Sequence, residues 1–193
     1  RRDSFGHGIG TGASARWLNL EKGEEKFYGR GYSACATCDG AFFRDRVVGV
    51  VRGGDSACEE AMFLSKFAQK VYLIHRREEL RATKPMQKRV FENEKIEIVW
   101  NKAVTNLEGE NLLEKVELTD TQTNKLSALK LDGLFMAIGH TPNTKFLEGQ
   151  IELDKRGFIK VEHQTRTNVE SVFVGGDVSD PHLGGPGGDF HHF

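Results

Sequence analysis

A glycine turn set between two β-branched apolar runs constrains the fold of this chain more than any other feature. Residues 47–51 read Val-Val-Gly-Val-Val, a short continuous apolar run suited to a strand buried on both faces. The turn Arg52-Gly53-Gly54-Asp55-Ser56-Ala57 follows directly. Residues 55–67 then carry Ala57, Ala61, Phe63, Leu64 and Phe67 at helical spacing, with Ala68 just beyond. Val71-Tyr72-Leu73-Ile74 is a second strand. Strand, helix and strand at this spacing make a β-α-β unit, and its crossover is expected to be right-handed.

The pattern continues beyond that unit. Residues 80–93 suggest a second helix, and Pro85 sets its true start near Lys84, because proline is tolerated only in the first turn. Residues 96–100 are a third strand. Residues 104–107, 113–118 and 126–131 alternate and are separated by polar turns, as in an antiparallel meander laid over the parallel sheet. Residues 134–138 return to a continuous apolar run and to the parallel sheet. After Gly139 the character changes: residues 151–161 suggest a hairpin, and Val172-Phe173-Val174 a short buried strand leading into Gly175-Gly176-Asp177. Residues 1–16 are Gly-rich and unassigned, residues 22–32 are charged and turn-prone, and residues 183–193 are Gly-rich without periodicity. No internal repeat is visible. The expected fold class is α/β: a Rossmann-like, three-layer nucleotide-binding domain with a parallel sheet and an antiparallel meander.

Composition narrows the function. With 193 residues, 38% of them hydrophobic, the chain can bury a substantial core. A formal net charge of −1 gives no bulk attraction to nucleic acid or membrane. No apolar run approaches the roughly 20 residues that span a bilayer, and Arg1-Arg2-Asp3-Ser4 does not open a signal segment. A soluble, cytoplasmic protein is the expectation.

The chemistry of a dinucleotide turn is specific. One Gly permits the tight turn, a second lets backbone approach a pyrophosphate, and a third small residue lets helix and strand pack closely. Gly54 and Ala57 fit the second and third positions, flanked by Gly53, Asp55 and Ser56, but Arg52 occupies the first. An NAD site normally carries an acidic residue at the end of the second strand. Here His75-Arg76-Arg77 and Arg81 stand there instead. Guanidinium forks bind phosphate oxygens in charge-assisted pairs, so the cluster favours NADPH, with its 2′-phosphate, over NADH. Two alternatives stay open: an ordinary β-α turn, and a solvated basic face balanced by Glu78 and Glu79. If the turn is a nucleotide site, replacing Arg52 with Gly is expected to tighten NADPH binding.

The three cysteines are Cys35, Cys38 and Cys58. An odd, low count does not describe a secreted disulfide scaffold. Cys58 falls on the first helix and is expected to be a buried small hydrophobe. Cys35-Ala36-Thr37-Cys38 has the spacing for thiol-disulfide exchange, in which one thiolate attacks and the second sulfur resolves the mixed disulfide. Asp39 is either the acid-base group of that chemistry or, with Gly40, a plain turn. Zinc is the rival use of the pair, but it needs two further ligands, and only Cys58 and His75 are nearby.

Taken together, these residues resemble the low-molecular-weight thioredoxin reductases. Five motifs occur in the family's order: Ser33-Ala34-Cys35-Ala36-Thr37-Cys38-Asp39-Gly40; Gly53-Gly54-Asp55-Ser56-Ala57 with Glu59-Glu60; His75-Arg76-Arg77 with Arg81; Ala137-Ile138-Gly139-His140-Thr141-Pro142-Asn143; and Gly176-Asp177-Val178. The resemblance runs from about Thr11 to His182. It implies an NADPH domain inserted into an FAD domain. Residues 1–17 would be a remnant of the FAD domain with a linker, residues 18–138 the NADPH domain carrying the cysteine pair, and residues 139–193 a partial FAD domain with an irregular tail.

The resemblance also implies a mechanism. Hydride passes from NADPH to FAD, electrons pass on to the Cys35–Cys38 disulfide, and thioredoxin receives them. Cys38 would face the flavin, Cys35 would exchange with thioredoxin, and Asp39 would move the proton. Ile138, Gly176 and Asp177 would join the cofactor contacts. The NADPH domain would swing between two orientations, and the full-length protein would be a homodimer.

Departures from the family qualify this expectation. No apolar strand precedes Phe5-Gly6-His7-Gly8-Ile9-Gly10, and residues 183–193 do not continue the family's pattern. The expectation is a fragment, or an incompletely determined sequence, that binds NADP(H) weakly and FAD little or not at all. A related reading within the class is the flavoprotein subunit of alkyl hydroperoxide reductase. Outside it stand a non-catalytic NADP-binding module and a zinc-stabilised domain.

Overall fold

The computed structural model describes residues 7–15, 18, 20, 23–137, 139–162 and 165–179. In chain order the elements begin with β1 (His7–Gly10), β2 (Ala13–Ala15), α1 (Glu24–Phe27), β3 (Tyr32–Ser33) and α2 (Ala36–Asp39). The β-α-β region follows as β4 (Val47–Val51), α3 (Asp55–Leu64), β5 (Lys70–Ile74), α4 (Lys84–Phe91) and β6 (Ile96–Val99). Next come β7 (Lys102–Glu108), β8 (Lys115–Asp120), β9 (Leu126–Lys130) and β10 (Gly133–Met136), and finally β11 (His140–Pro142) and β12 (Val172–Gly175). The chain divides into two compact units, one of Arg1–Ala15 with Gly139–Phe193 and one of Arg16–Ile138.

The larger unit is built on a five-stranded sheet of order β3-β10-β4-β5-β6 in which every pairing is parallel. Its central strands are buried on both faces, which is why they read as unbroken apolar runs rather than alternating ones. On one face α3 lays Ala57, Cys58, Ala61 and Leu64 against Val48, Val50, Val71 and Leu73. Complete burial of the valine and leucine side chains stabilises by about 1.5–3 kcal/mol each. On the other face the meander β7-β8-β9 contributes Val104, Leu107, Val116 and Leu118, packed with Tyr32, Ile74, Leu134 and Met136. Helices, parallel sheet and meander are thus three layers, as the sequence pattern implied.

Several elements differ from the sequence expectation in instructive ways. Tyr32–Ser33 forms an edge strand where the turn-prone segment 22–32 ends, and it pairs with β10. The stretch before it is fastened by one carboxylate: Glu24 accepts from the Leu18 and Leu20 amides at 2.8 and 3.0 Å and from the Tyr32 hydroxyl at 2.5 Å. The helix α3 ends at Leu64, three residues short of the expected limit, and its last turn continues as non-helical backbone. The helix α4 starts at Lys84 with Thr83 as its N-cap, where Pro85 placed it. Val104 and Leu107 both face the core although they stand an odd number of residues apart, because the register shifts between Val104 and Asn106.

The smaller unit shows the clearest correction. The Gly-rich segment left unassigned contains β1, which pairs in parallel with β12 from His7↔Val172 to Gly10↔Gly175. It also contains β2, antiparallel to β11. Two of the four residues of β1 are glycine and β2 is Ala-Ser-Ala, so no hydrophobic period could mark these strands. Asn143 anchors the second pair, donating its amide to the Gly12 carbonyl at 3.0 Å and accepting from the Ser14 hydroxyl at 2.9 Å. Ile9 packs with Leu147, Ile151, Ile159, Val174 and Val178. The expected hairpin over 151–161 is a single bridge, Leu153↔Ile159, closed by Asp154, whose Oδ1 accepts from the Arg156 and Phe158 amides.

One buried charge stands out on α3. Glu60 is only 5% exposed, its Oε2 has no hydrogen-bond partner among the described residues, and burial together with neighbouring Glu59 pushes its carboxyl up to about 7. A carboxyl raised in the folded state favours folding most at low pH. That contribution is lost as pH rises from the unfolded value near 4.5 through about 7. Glu60→Gln removes the ionisation and keeps the shape. Its stability should therefore exceed the parent's by about 1–3 kcal/mol in mildly alkaline buffer, and match it closely only at about pH 4, below the unfolded value. Equal midpoint shifts at both pH values would contradict the assignment.

Candidate functional site

The cysteine pair is built on the first turn of a short helix. Cys35 is the extended N-cap of α2, and Cys38 lies within that helix, so the turn brings their Cα atoms to 5.3 Å and the two sulfurs form a disulfide. The Cys38 amide donates to Cys35 Sγ at 3.2 Å, and the Thr37 hydroxyl lies 3.4 Å from the same sulfur. Two donors on one sulfur favour charge there once the disulfide opens, because hydrogen bonds to an ionised acceptor are about twice as strong as neutral ones. No comparable donors reach Cys38 Sγ among the described residues.

Asp39 closes the same helix. Its Oδ2 accepts from the Ser33 hydroxyl at 2.6 Å, and Ser33 Oγ in turn accepts from the Cys35 amide at 3.0 Å. Ser33 is 6% exposed and sits on β3, so the carboxylate is positioned by the sheet and not only by its turn. Oδ1 of Asp39 has no hydrogen bond among the described residues and remains available. In the sequence Ser33 stands only as part of a motif, with no role of its own. Its one signal there is a small hydroxyl residue two positions before the first cysteine, on what the structure shows to be an edge strand. Cys58 is fully buried, and burial, with Asp55 and Glu59 nearby, pushes its thiol up to about 11. It is inert for exchange. Among the described residues no group of three or more His, Cys, Asp and Glu side chains is arranged to hold a metal ion.

The glycine turn has two different glycines. A Cβ on Gly53 would sit 2.8 Å from the His75 ring and 2.8 Å from Leu80 Cδ2, so Gly53 is required by packing. A Cβ on Gly54 would meet nothing within 4 Å. That open side faces the start of α3, where the first-turn amides of residues 55–57 have no intrahelical acceptor. Such a turn can take a pyrophosphate on its backbone. Ala57 is buried against the sheet, the small third residue that close helix-strand packing needs. Ser56 is exposed in the first turn. Asp55 Oδ1 accepts from both the amide and the hydroxyl of Thr83 at 2.9 Å, so this carboxylate ties the turn to the cap of α4.

His75 is buried at the end of β5. Its Nε2 donates to the Glu79 carbonyl at 2.9 Å, an acceptor only, which leaves Nδ1 without a proton and without a partner. Burial holds the imidazole below its usual range, and Arg77, Arg76 and Arg81 add to that. His75 therefore braces the turn through Gly53 as a neutral ring. Arg76, Arg77 and Arg81 are exposed and line a pocket of about 430 Å³ together with Glu78 and Glu79. None of the three guanidinium groups forms an ion pair or hydrogen bond among the described residues. Ile138 lies outside the described residues. In the smaller unit, Gly176 takes φ +92° just after β12, and Asp177 beside it is exposed and could meet a second nucleotide.

Residues 9–187 match the family model of the pyridine nucleotide-disulphide oxidoreductases, and the chain belongs to that family. Its fold and sequence are similar, more narrowly, to those of thioredoxin reductases. The thioredoxin reductase of Eremothecium gossypii is 49% identical over 176 residues, covering 89% of this chain and 55% of its own length. That of Streptomyces coelicolor is 47% identical over 173 residues, covering 89% and 53%. Among solved structures, thioredoxin reductase from Giardia duodenalis superposes with a TM-score of 0.79 at 41% identity, over 91% of this chain and 58% of that one. The Lactococcus lactis enzyme gives 0.79 at 37% identity, over 90% and 57%. The chain thus spans about half the length of the curated relatives it matches.

Arg52 makes the turn costly. Its φ is +116°, a region that disfavours any residue with a Cβ, and its amide is held to the Ile74 carbonyl at 3.0 Å. Such strain is of order 1–3 kcal/mol, and glycine returns about 0.5–1 kcal/mol of it through a freer unfolded chain. Arg52→Gly should therefore stabilise the protein by about 1 kcal/mol, read as a higher urea midpoint at unchanged slope. A lower midpoint would show that Arg52 contributes contacts worth more than its strain.

Proposed function

We propose that this chain is the nicotinamide and dithiol portion of an NADPH-dependent thioredoxin-disulfide reductase, a flavoprotein. The observation that carries the reading is the pairing, within one folded unit, of an open glycine turn and a loop of three unpaired arginines with a Cys35–Cys38 disulfide beside a positioned carboxylate. Family membership and the similarity to thioredoxin reductases support the same reading. Gly53, Gly54, Ser56 and Ala57 would hold the pyrophosphate, with Asp55 and His75 bracing the turn. Arg76, Arg77 and Arg81 would take the 2′-phosphate, and Ile138, Gly176 and Asp177 would contribute to the cofactor sites. Residues 18–138 are then the NADPH domain, and the flanking residues 1–17 and 139–193 belong to the FAD domain. A cytoplasmic homodimer with thioredoxin as its partner completes the reading. The absence, among the described residues, of a helix long and apolar enough to cross a membrane is compatible with it.

When bound, NADPH and FAD would supply the two electrons that open the disulfide. The chain's own residues then do the exchange. Cys35, whose sulfur accepts from the Cys38 amide, carries the attacking thiolate and forms a mixed disulfide with the partner. The partner's second sulfur leaves as a thiolate, and the Asp39 carboxyl, held through Oδ2 by Ser33 and carrying a proton on Oδ1, delivers that proton to it. Cys38 attacks Cys35 Sγ, its thiol proton passes to the partner's departing first sulfur, the internal disulfide is restored and the partner is released as a dithiol. The carboxylate regains its proton from solvent through its free Oδ1.

The test is single-turnover reduction of a thioredoxin disulfide by the purified protein, with its Cys35–Cys38 pair reduced beforehand and excess reductant removed, followed as release of thioredoxin dithiol. Cys38→Ser should abolish that release and trap the mixed disulfide on Cys35, and Asp39→Asn should slow it about 10²-fold or more, the usual contribution of a positioned acid. Release of thioredoxin dithiol that survives Cys38→Ser overturns the reading.

A further inference from the structure

Resting on the nucleotide reading above, we infer that Thr121, in the β8–β9 turn of the meander, is a positioning residue for the 2′-phosphate pocket, acting through Arg76.

The arginine loop does not hold itself in place. Its three consecutive carbonyls are all taken up by the meander and the residues that lead into it. His75 O accepts from the Lys102 amide at 3.1 Å, Arg76 O from the Thr121 hydroxyl at 3.0 Å, and Arg77 O from the Asn101 amide at 3.3 Å. The Thr121 amide donates to the Asn101 carbonyl at 2.8 Å, which joins these supports to one another. Of the bonds to these three carbonyls, only the one to Arg76 comes from a side chain. It is therefore the one that a single substitution can remove without altering backbone.

The supporting turn is itself rigid. Asp120 Oδ1 accepts from the Gln122 and Thr123 amides at 3.0 and 2.8 Å, and Oδ2 accepts from Lys102 Nζ at 2.9 Å. Lys102 and the turn amides hold this carboxyl well below the usual carboxylate range. A turn closed this firmly can fix a hydroxyl in space. Asn101, Thr121 and Gln122 also line the 430 Å³ pocket, together with Arg76, Arg77 and Arg81. The meander thus contributes part of the pocket lining and holds the backbone from which the Arg76 guanidinium projects. Guanidinium recognition of phosphate is bidentate and sensitive to such placement.

Binding of two probes separates this role from general stability. 2′,5′-ADP carries the 2′-phosphate, and 5′-AMP lacks it. Calorimetry on the parent, Thr121→Val and Thr121→Ser should show a parent that prefers 2′,5′-ADP. In Thr121→Val that preference should fall about three- to ten-fold, the loss expected of one hydrogen bond to a positioning backbone group. Thr121→Ser, which keeps the hydroxyl, should retain it, and affinity for 5′-AMP should stay the same in all three proteins. Full preference in Thr121→Val overturns the inference alone. Loss of 5′-AMP binding in that variant also overturns it, by showing that the turn is only structural. A parent with no preference overturns the nucleotide reading and this inference with it.

Discussion

The candidate nucleotide site depends on how closely Gly53 lets two strand ends approach. With no Cβ, its backbone sits against the ring of His75 and the methyl of Leu80, where any side chain would collide at 2.8 Å. Its carbonyl then accepts two amides, Arg81 at 2.6 Å and Ala82 at 3.1 Å. These bonds carry the basic loop back over the turn. Asp55 adds a third tie through Thr83. The open face at Gly54 and the unpaired arginines therefore belong to one rigid assembly. An alanine at position 53 would separate them even if every charged residue were kept.

The same economy governs the dithiol. A Cys-x-x-Cys on the first turn of a helix puts the two sulfurs in bonding range and gives the leading sulfur the amide of the trailing residue. Ser33 then connects this helix to the parallel sheet, accepting from the Cys35 amide and donating to Asp39. The sheet thus orients both the sulfur that would exchange and the carboxylate that would move its proton. Asp39 need not choose between structure and chemistry, since one oxygen serves each.

Side chains that lack partners are informative in opposite ways. The arginines at positions 76, 77 and 81 are exposed, so their charges are hydrated and await a ligand at little cost. Glu60 and Nδ1 of His75 are buried, where an unmet polar group opposes folding. Together with Arg52 at φ +116°, they place much of the unit's unrelieved cost on the turn, the helix behind it and the strand end above it.

The β-α-β unit, the meander, the start of α4 at Pro85 and the cysteine pair were legible because each rests on local rules: apolar period, turn chemistry and sequence spacing. Strands β1 and β2 of the smaller unit were not legible, since the glycines of β1 and the small residues of β2 leave no period to read. The bulge between Val104 and Asn106 was hidden for a related reason, because register is settled by the partner strand. Sequence alone determined which residue types stand at the turn, the basic loop and the dithiol, and hence the class of chemistry. Only the tertiary structure decided that His75 is a neutral brace, that Asp55 is a tie, that the arginines stay unpaired and that Ser33 and Thr121 position their neighbours. Those roles arise from contacts between segments far apart in the chain, where burial and hydrogen-bond geometry, not composition, determine what a side chain does.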